Sequence, residues 1–379
     1  MKTSYRKSAF TLIEILVVIA IIGILMGFLT LGIGQARAKA RNMRLVAELK
    51  QVEMAIDRVR NELGGGDYPP DGTDYNDVMR FCRRAFPRAV FWDSTSNTAQ
   101  PAGAVPFPTL LSPATALTFW LGGVRDPGSG TYLGFSANPV DPFDYYPIKN
   151  MTSGTSMPVF PSRKGPYYEF DKSRLVAVQW NATNKSPFNH YDGWELSVPS
   201  LTPAMGGEEP RGLALQVYFP QNDQVLPIVT TANQTQTLSP SPLLYFKAFT
   251  GKYSSVVNGA EVFHTWTQPS SPSPGKASSK VTAFKDARTP APPGARAWMN
   301  PKSCQILCSG LDGFFGVSVQ GHYFQDSGSP DAADSKGVFS PIYPDGANYD
   351  PDPVTKGKYT NDDITNFMQG SKLSDDMPQ

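Results

Sequence analysis

The chain has 379 residues, enough for one large domain or two ordinary ones and for a sizeable core. Its 34 basic residues nearly balance 33 acidic ones, and no basic patch stands out beyond the stem near the N-terminus, so a nucleic-acid partner is not indicated. The 33 glycines and 35 prolines exceed the roughly 12% these types average together, which predicts many turns, short strands and loops, with few long helices.

Residues 1–9, MKTSYRKSA, carry Lys2, Arg6 and Lys7. Phe10 to Ile33 then form an apolar run of roughly 24 residues whose one ionisable group is Glu14, long enough to span a bilayer. A secretory signal peptide is the simpler alternative. Its apolar core, however, is only about 7 to 15 residues and a small-residue cleavage site should follow it. Here the small residue, Ala9, precedes the run.

No proline occurs before Pro69, so helix can continue from about Phe10 through Leu63, about 80 Å at about 1.5 Å per residue. Gly32 and Gly34 are its weakest point. Beyond them Leu45, Leu49, Val52, Ile56, Val59 and Leu63 recur at spacings of three and four, while charged residues fill the other faces. That stripe predicts a partner surface. Three glycines at 64–66 stop the helix, because glycine tolerates a left-handed C-terminal cap.

The segment AFTLIEILVVIAIIGIL, followed by a basic amphipathic stem, resembles the class III signal sequence of type IV pilins and of the pseudopilins of type II secretion systems. The resemblance implies cleavage by a prepilin peptidase between Ala9 and Phe10 and methylation of the new Phe10 amine. That family usually has glycine before the cut; alanine stands here. It also gives Glu14 a role. A lone carboxylate in hydrocarbon costs several kcal/mol or protonates, whereas Phe10 of one subunit beside Glu14 of its neighbour neutralises both charges and fixes register.

The resemblance implies an organisation as well. It comprises a leader at 1–9, a transmembrane helix at 10–34, an amphipathic stem at 35–63 and an extracytoplasmic globular domain at 64–379. The chain would cross the bacterial inner membrane once, with its C-terminal domain in the periplasm or on the cell surface. Its partners would be prepilin peptidase, other pilin or pseudopilin subunits, an inner-membrane assembly platform and membrane lipid. Charge alone does not set this orientation: Lys2, Arg6 and Lys7 precede the run, but Arg37, Lys39, Arg41 and Arg44 follow it.

After the glycines, GGGDYPPDGTDYND resembles the turn that follows the helix in major pseudopilins. In 107–123, Leu110, Leu111, Ala114, Leu117, Trp120 and Leu121 fall at helical spacing before Gly122 and Gly123, predicting a short buried helix. From 130 to 300, short apolar runs (TYLGFS, PYYEF, RLVAVQW, LALQVYF, QVLPIV, PLLYFKAF and EVFHTW) alternate with turn signals. They predict antiparallel strands. The expected class is α+β: a long N-terminal helix packed on an antiparallel β-sheet domain with large Pro/Gly/Ser-rich loop insertions, pilin-like in outline.

Three cysteines are too few for a disulfide framework. On a strand, Cys304 and Cys308 share one face about 13 Å apart and cannot bridge, so burial is the leading reading, with a disulfide or metal ligation as alternatives. Near the C-terminus Asp345, Asp350, Asp352, Asp362 and Asp363 cluster in sequence. Major pseudopilins bind calcium in a C-terminal loop, and the resemblance implies a Ca2+ site drawn from Asp312, Asp350, Asp352, Asp362 and Asp363. Hard cations take about six to eight oxygens, which such loops provide. The competing reading makes these residues turn formers and a helix cap before ITNF.

His190, His264 and His322 sit in unrelated contexts and form no zinc-peptidase pair, and no nucleophile elbow is present. The sequence therefore favours a structural filament subunit over an enzyme. A minor tip subunit or adhesin that binds a ligand through its inserted loops is the alternative, and a membrane-tethered enzyme would need a clustered polar site.

Overall fold

The computed structural model describes residues 12–93, 105–107, 111–125, 131–143, 162–177, 216–220, 241–257, 260–267, 280–286, 288, 297–311, 315, 342–343, 363–368 and 370. Among them the architecture is α+β: one very long helix, two short helices and several small sheets.

Helix α1, Leu12–Glu62, runs for 51 residues and passes through Gly32 and Gly34 without a break. Flanking leucine, glutamine, alanine and arginine are strong helix formers, and they outweigh two glycines that cost about 1 kcal/mol each. The predicted stripe is the buried face: Leu45, Leu49, Val52, Ile56, Val59 and Leu63 are each at most 3% exposed. Each such side chain contributes roughly 2 kcal/mol on leaving water. The helix ends as its last carbonyls turn inward, Val59 O accepting from both Leu63 N and Gly64 N, and Arg60 O accepting from Gly66 N. Gly65 and Gly66 take φ of 57° and 93°.

Helix α2, Tyr75–Ala85, is not among the elements expected from the sequence, although its signals are present there. Asp74 caps it by accepting from Asn76 N, and Val78, Phe81, Cys82 and Ala85 give the buried spacing. Helix α3, Ala116–Gly122, is the predicted buried helix, with every residue inside and Gly123 closing it at φ 73°. Phe119 and Trp120 join Phe81, Phe86, Phe135 and Phe143 in a continuous aromatic core against α1.

The strand Cys304–Cys308 lies between Leu244–Lys247 and Ile364–Thr365, antiparallel to both. Alternation splits its two faces between two cores. Cys304, Ile306 and Cys308 face the cluster that includes α1, with Tyr245 and Ile364. Leu307 faces a second cluster, with Leu244, Phe246, Tyr253, Trp266, Phe284 and Trp298. All three cysteines are buried and outside any disulfide, and Cys304 and Cys308 cannot bridge on a fully extended strand.

The other predicted strands are only partly strands. Tyr132–Ser136, Leu175–Ala177 and Gln216–Tyr218 form as expected, the last two pairing antiparallel with each other. PYYEF does not, because Tyr167 N and Tyr168 N donate to Leu121 O at the end of α3 rather than to a neighbouring strand. EVFHTW divides at His264 into Ala260–Phe263 and Thr265–Thr267, each with a different partner. QVLPIV lies outside the described residues. The pairing is also not wholly antiparallel: Phe91–Asp93 with Val105–Phe107, and Lys285–Asp286 with Ile342–Tyr343, run parallel. Short runs punctuated by proline and glycine cannot extend one ladder, so small sheets result.

Candidate functional site

Ala9 and Phe10 lie outside the described residues; Glu14 stands in the first turn of α1. A carboxylate there complements the positive end of the helix dipole. Around it the helix is apolar and turned outward, with Leu12 83%, Ile13 68% and Leu16 55% exposed. The globular core leaves this end of α1 uncovered among the described residues, and Asn42 and Leu45 are the first buried positions. What could cover it is hydrocarbon or another copy of such a helix.

Of the five aspartates in the calcium pool, Asp312, Asp350, Asp352 and Asp362 lie outside the described residues. Asp363 is buried, 2% exposed, and leads into the strand Ile364–Thr365 rather than capping a helix at ITNF. No group of three or more histidine, cysteine, aspartate or glutamate side chains is placed to hold a metal ion among the described residues.

The structure instead brings together a charged cluster that sequence reasoning does not find, where the turn after α1 meets the sheet. Asp71, in PPDGTD, accepts from Thr73 N at 3.0 Å and from Thr73 Oγ1, as an Asp-Gly turn favours. Its other oxygen accepts from Lys247 N at 3.1 Å and meets His264 Nδ1 at 2.8 Å. Lys247 Nζ donates to both oxygens of Asp77, at 2.9 and 3.1 Å, and to Asp67 at 3.3 Å. Arg80 completes Asp77 at 2.7 Å. Neutral contacts extend the fastening: Tyr245 Oη donates to Pro69 O at 2.6 Å and Trp120 Nε1 to Pro70 O at 2.9 Å.

Asp71, Asp77, Lys247 and His264 are each at least nine-tenths buried. Removing one partner from such a cluster strands a charge in the core, which is strongly destabilising. Burial opposes the Asp71 carboxylate, yet the charge and hydrogen bond of His264, with the Thr73 donors, outweigh it and hold its pKa below the ordinary value. Burial likewise opposes the His264 imidazolium, but Asp71, helped by Asp74 and Asp77, lifts its pKa above the ordinary histidine value. His264 Nε2 is buried without a hydrogen-bond partner among the described residues. The cluster is thus a structural clamp that fastens the turn after α1 and helix α2 to the sheet. Its signal in sequence is slight: Lys247 and His264 interrupt the apolar runs PLLYFKAF and EVFHTW.

Residues 4–30 match the prokaryotic N-terminal methylation motif, the motif of type IV pilin-like prepilins. The match covers this N-terminal segment alone; a motif of this kind indicates a type IV pilin- or pseudopilin-type precursor, suggests a membrane-anchored one, and implies processing by prepilin peptidase and assembly with other pilin subunits. The family that carries this motif is structural rather than enzymatic. Comparison of the chain with curated proteins and with solved structures gives no match. Among the described residues no helix is long and apolar enough to cross a membrane. The expected span at 10–34 extends beyond those residues at Phe10 and Thr11, and the side chains at 28–32 and 34 also lie outside them.

Proposed function

We propose that the protein is a structural subunit of a type II secretion pseudopilus or type IV pilus-like filament, cut between Ala9 and Phe10 and methylated on Phe10. One observation carries the reading. The methylation motif runs without interruption into a 51-residue helix whose first third is apolar and exposed, while its second half anchors the globular core. In this proposal the apolar segment at 10–34 holds the monomer in the inner membrane, with the C-terminal domain in the periplasm or on the cell surface. An inner-membrane assembly platform then moves subunits into the filament.

Glu14 couples processing to assembly. Cleavage exposes an ammonium on Phe10, and the carboxylate of a neighbouring subunit neutralises it out of water, an arrangement that fixes register rather than adding much stability. Mass spectrometry of the mature N-terminus should find a methylated phenylalanine; an intact leader would defeat the processing step. Glu14→Ala should leave the monomer folded, since Glu14 is remote from the core, yet lower the number of subunits recovered in filaments. Undiminished incorporation of the alanine variant would remove the register role.

A further inference from the structure

Lys247 ends the strand Leu244–Lys247 with its ammonium inside the protein. Its side chain is 4% exposed and that of its partner Asp77 8%, whereas the ion pair of Lys50 with Glu53 stands in water at 53% and 31%. Three elements converge on Lys247 Nζ. Asp77, in the first turn of α2, meets it at 2.9 and 3.1 Å, and Asp67, in the turn after α1, at 3.3 Å. The main chain is fixed there as well, since Lys247 N donates to Asp71 at 3.1 Å. On the outer side Arg80 donates to Asp77 Oδ1 at 2.7 Å, and its guanidinium lies 4.7 Å over the ring of Phe249.

A primary amine, a carboxyl group and a second carboxylate are thus held together by parts of the chain 170 residues apart. We propose that Lys247 and Asp77 condense to an intramolecular amide. One proton of the Nζ ammonium passes to Asp77 Oδ2, the oxygen it already contacts at 2.9 Å. The amine then attacks Cγ of Asp77 and forms the N–C bond. Asp67, which borders the same nitrogen, takes a second proton from it and delivers it to Oδ2; the Cγ–Oδ2 bond breaks and that oxygen leaves as water. The third proton stays on the amide nitrogen, Asp67 ends unchanged, and no oxidant or other reagent is consumed. Oδ1, held by Arg80, carries the developing negative charge and becomes the amide carbonyl oxygen.

Burial favours this outcome. Two ions out of water are replaced by one neutral amide, which removes their desolvation cost. Groups fixed as neighbours also react as if at very high concentration. The product ties α2 to the sheet and closes a loop of 170 residues, so it stabilises the fold by restricting the unfolded chain. None of this depends on the filament reading.

The test is the denatured intact mass of the full-length protein, purified in detergent and shown to unfold cooperatively. The expected mass is about 18 Da below the sum of its residues, one water lost. Tryptic digestion should then give a branched peptide joining Asp77 to Lys247, uncut after Lys247. Lys247→Arg should restore the full mass. Wild-type protein at full mass, cleaved normally after Lys247, would show an ion pair only and overturn the proposal. A deficit that persists in Lys247→Arg would place the lost water elsewhere and overturn it equally. Asp67→Asn, at a side chain 37% exposed, should leave a mixture of linked and unlinked chains; complete linkage at the wild-type rate would overturn the proton-transfer role of Asp67.

Discussion

At 2.8 Å inside the core, Asp71 and His264 make stability depend on pH from both sides. His264 titrates above its ordinary 6.5 when folded, so its contribution is complete below 6.5 and is lost as pH rises through the raised value. Asp71 titrates below its ordinary 3.8, so its contribution is present above 3.8 and is lost as pH falls through the lowered value. The pair therefore acts most strongly in weak acid. The unfolding midpoint of the full-length protein in detergent should be higher near about pH 6 than near about pH 8.5, and His264→Gln should remove most of that difference. Equal pH dependence in both proteins would show that other groups set it.

At the scale of elements, α1 does two jobs that its sequence separates along its length. The N-terminal part presents apolar side chains outward, and the part after Asn42 buries its stripe in the core. What lets the domain fold back onto it is the stop at 64–66. A Cβ on Gly64 would sit 2.0 Å from Asp67 O and 2.9 Å from Arg60 O, both backbone atoms. One on Gly65 would meet only Arg84 side-chain carbons, the nearer at 3.5 Å, though its φ of 57° is strained for any side chain. Gly65→Ala should cost about 1 kcal/mol. Gly64→Ala should cost clearly more, because backbone must move. Denaturant titration of the two variants measures this order, and the reverse order would discount the close approach at Gly64.

For the whole molecule, the described core neither uses nor needs the first turns of α1. Burial begins at Asn42 and Leu45, and the clamp of Asp71, Lys247 and His264 lies wholly past Gly64. A chain beginning at Gln35 should thus keep the unfolding midpoint of the full-length protein while losing membrane attachment and assembly. A loss of more than about 1 kcal/mol would mean that the apolar segment supports the fold itself. On the proposed function, separating the two roles in one helix would leave the assembling surface free to change without loss of the fold.

Much of this organisation is legible in the residues themselves. The apolar run, Glu14, the buried stripe from Leu45 to Leu63, the stop at 64–66 and the short helix ending at Gly123 are local patterns. Their period or punctuation has one physical meaning wherever it occurs. The sequence alone thus determined the apolar run, the buried stripe of α1 and the methylation motif. Only the tertiary structure decided that PYYEF gives its amides to α3, that the strands divide into small sheets, and that Lys247 and His264 meet aspartates some 170 to 193 residues away. Such pairings depend on which surfaces the packed core brings within about 3 Å, and periodicity carries no record of that.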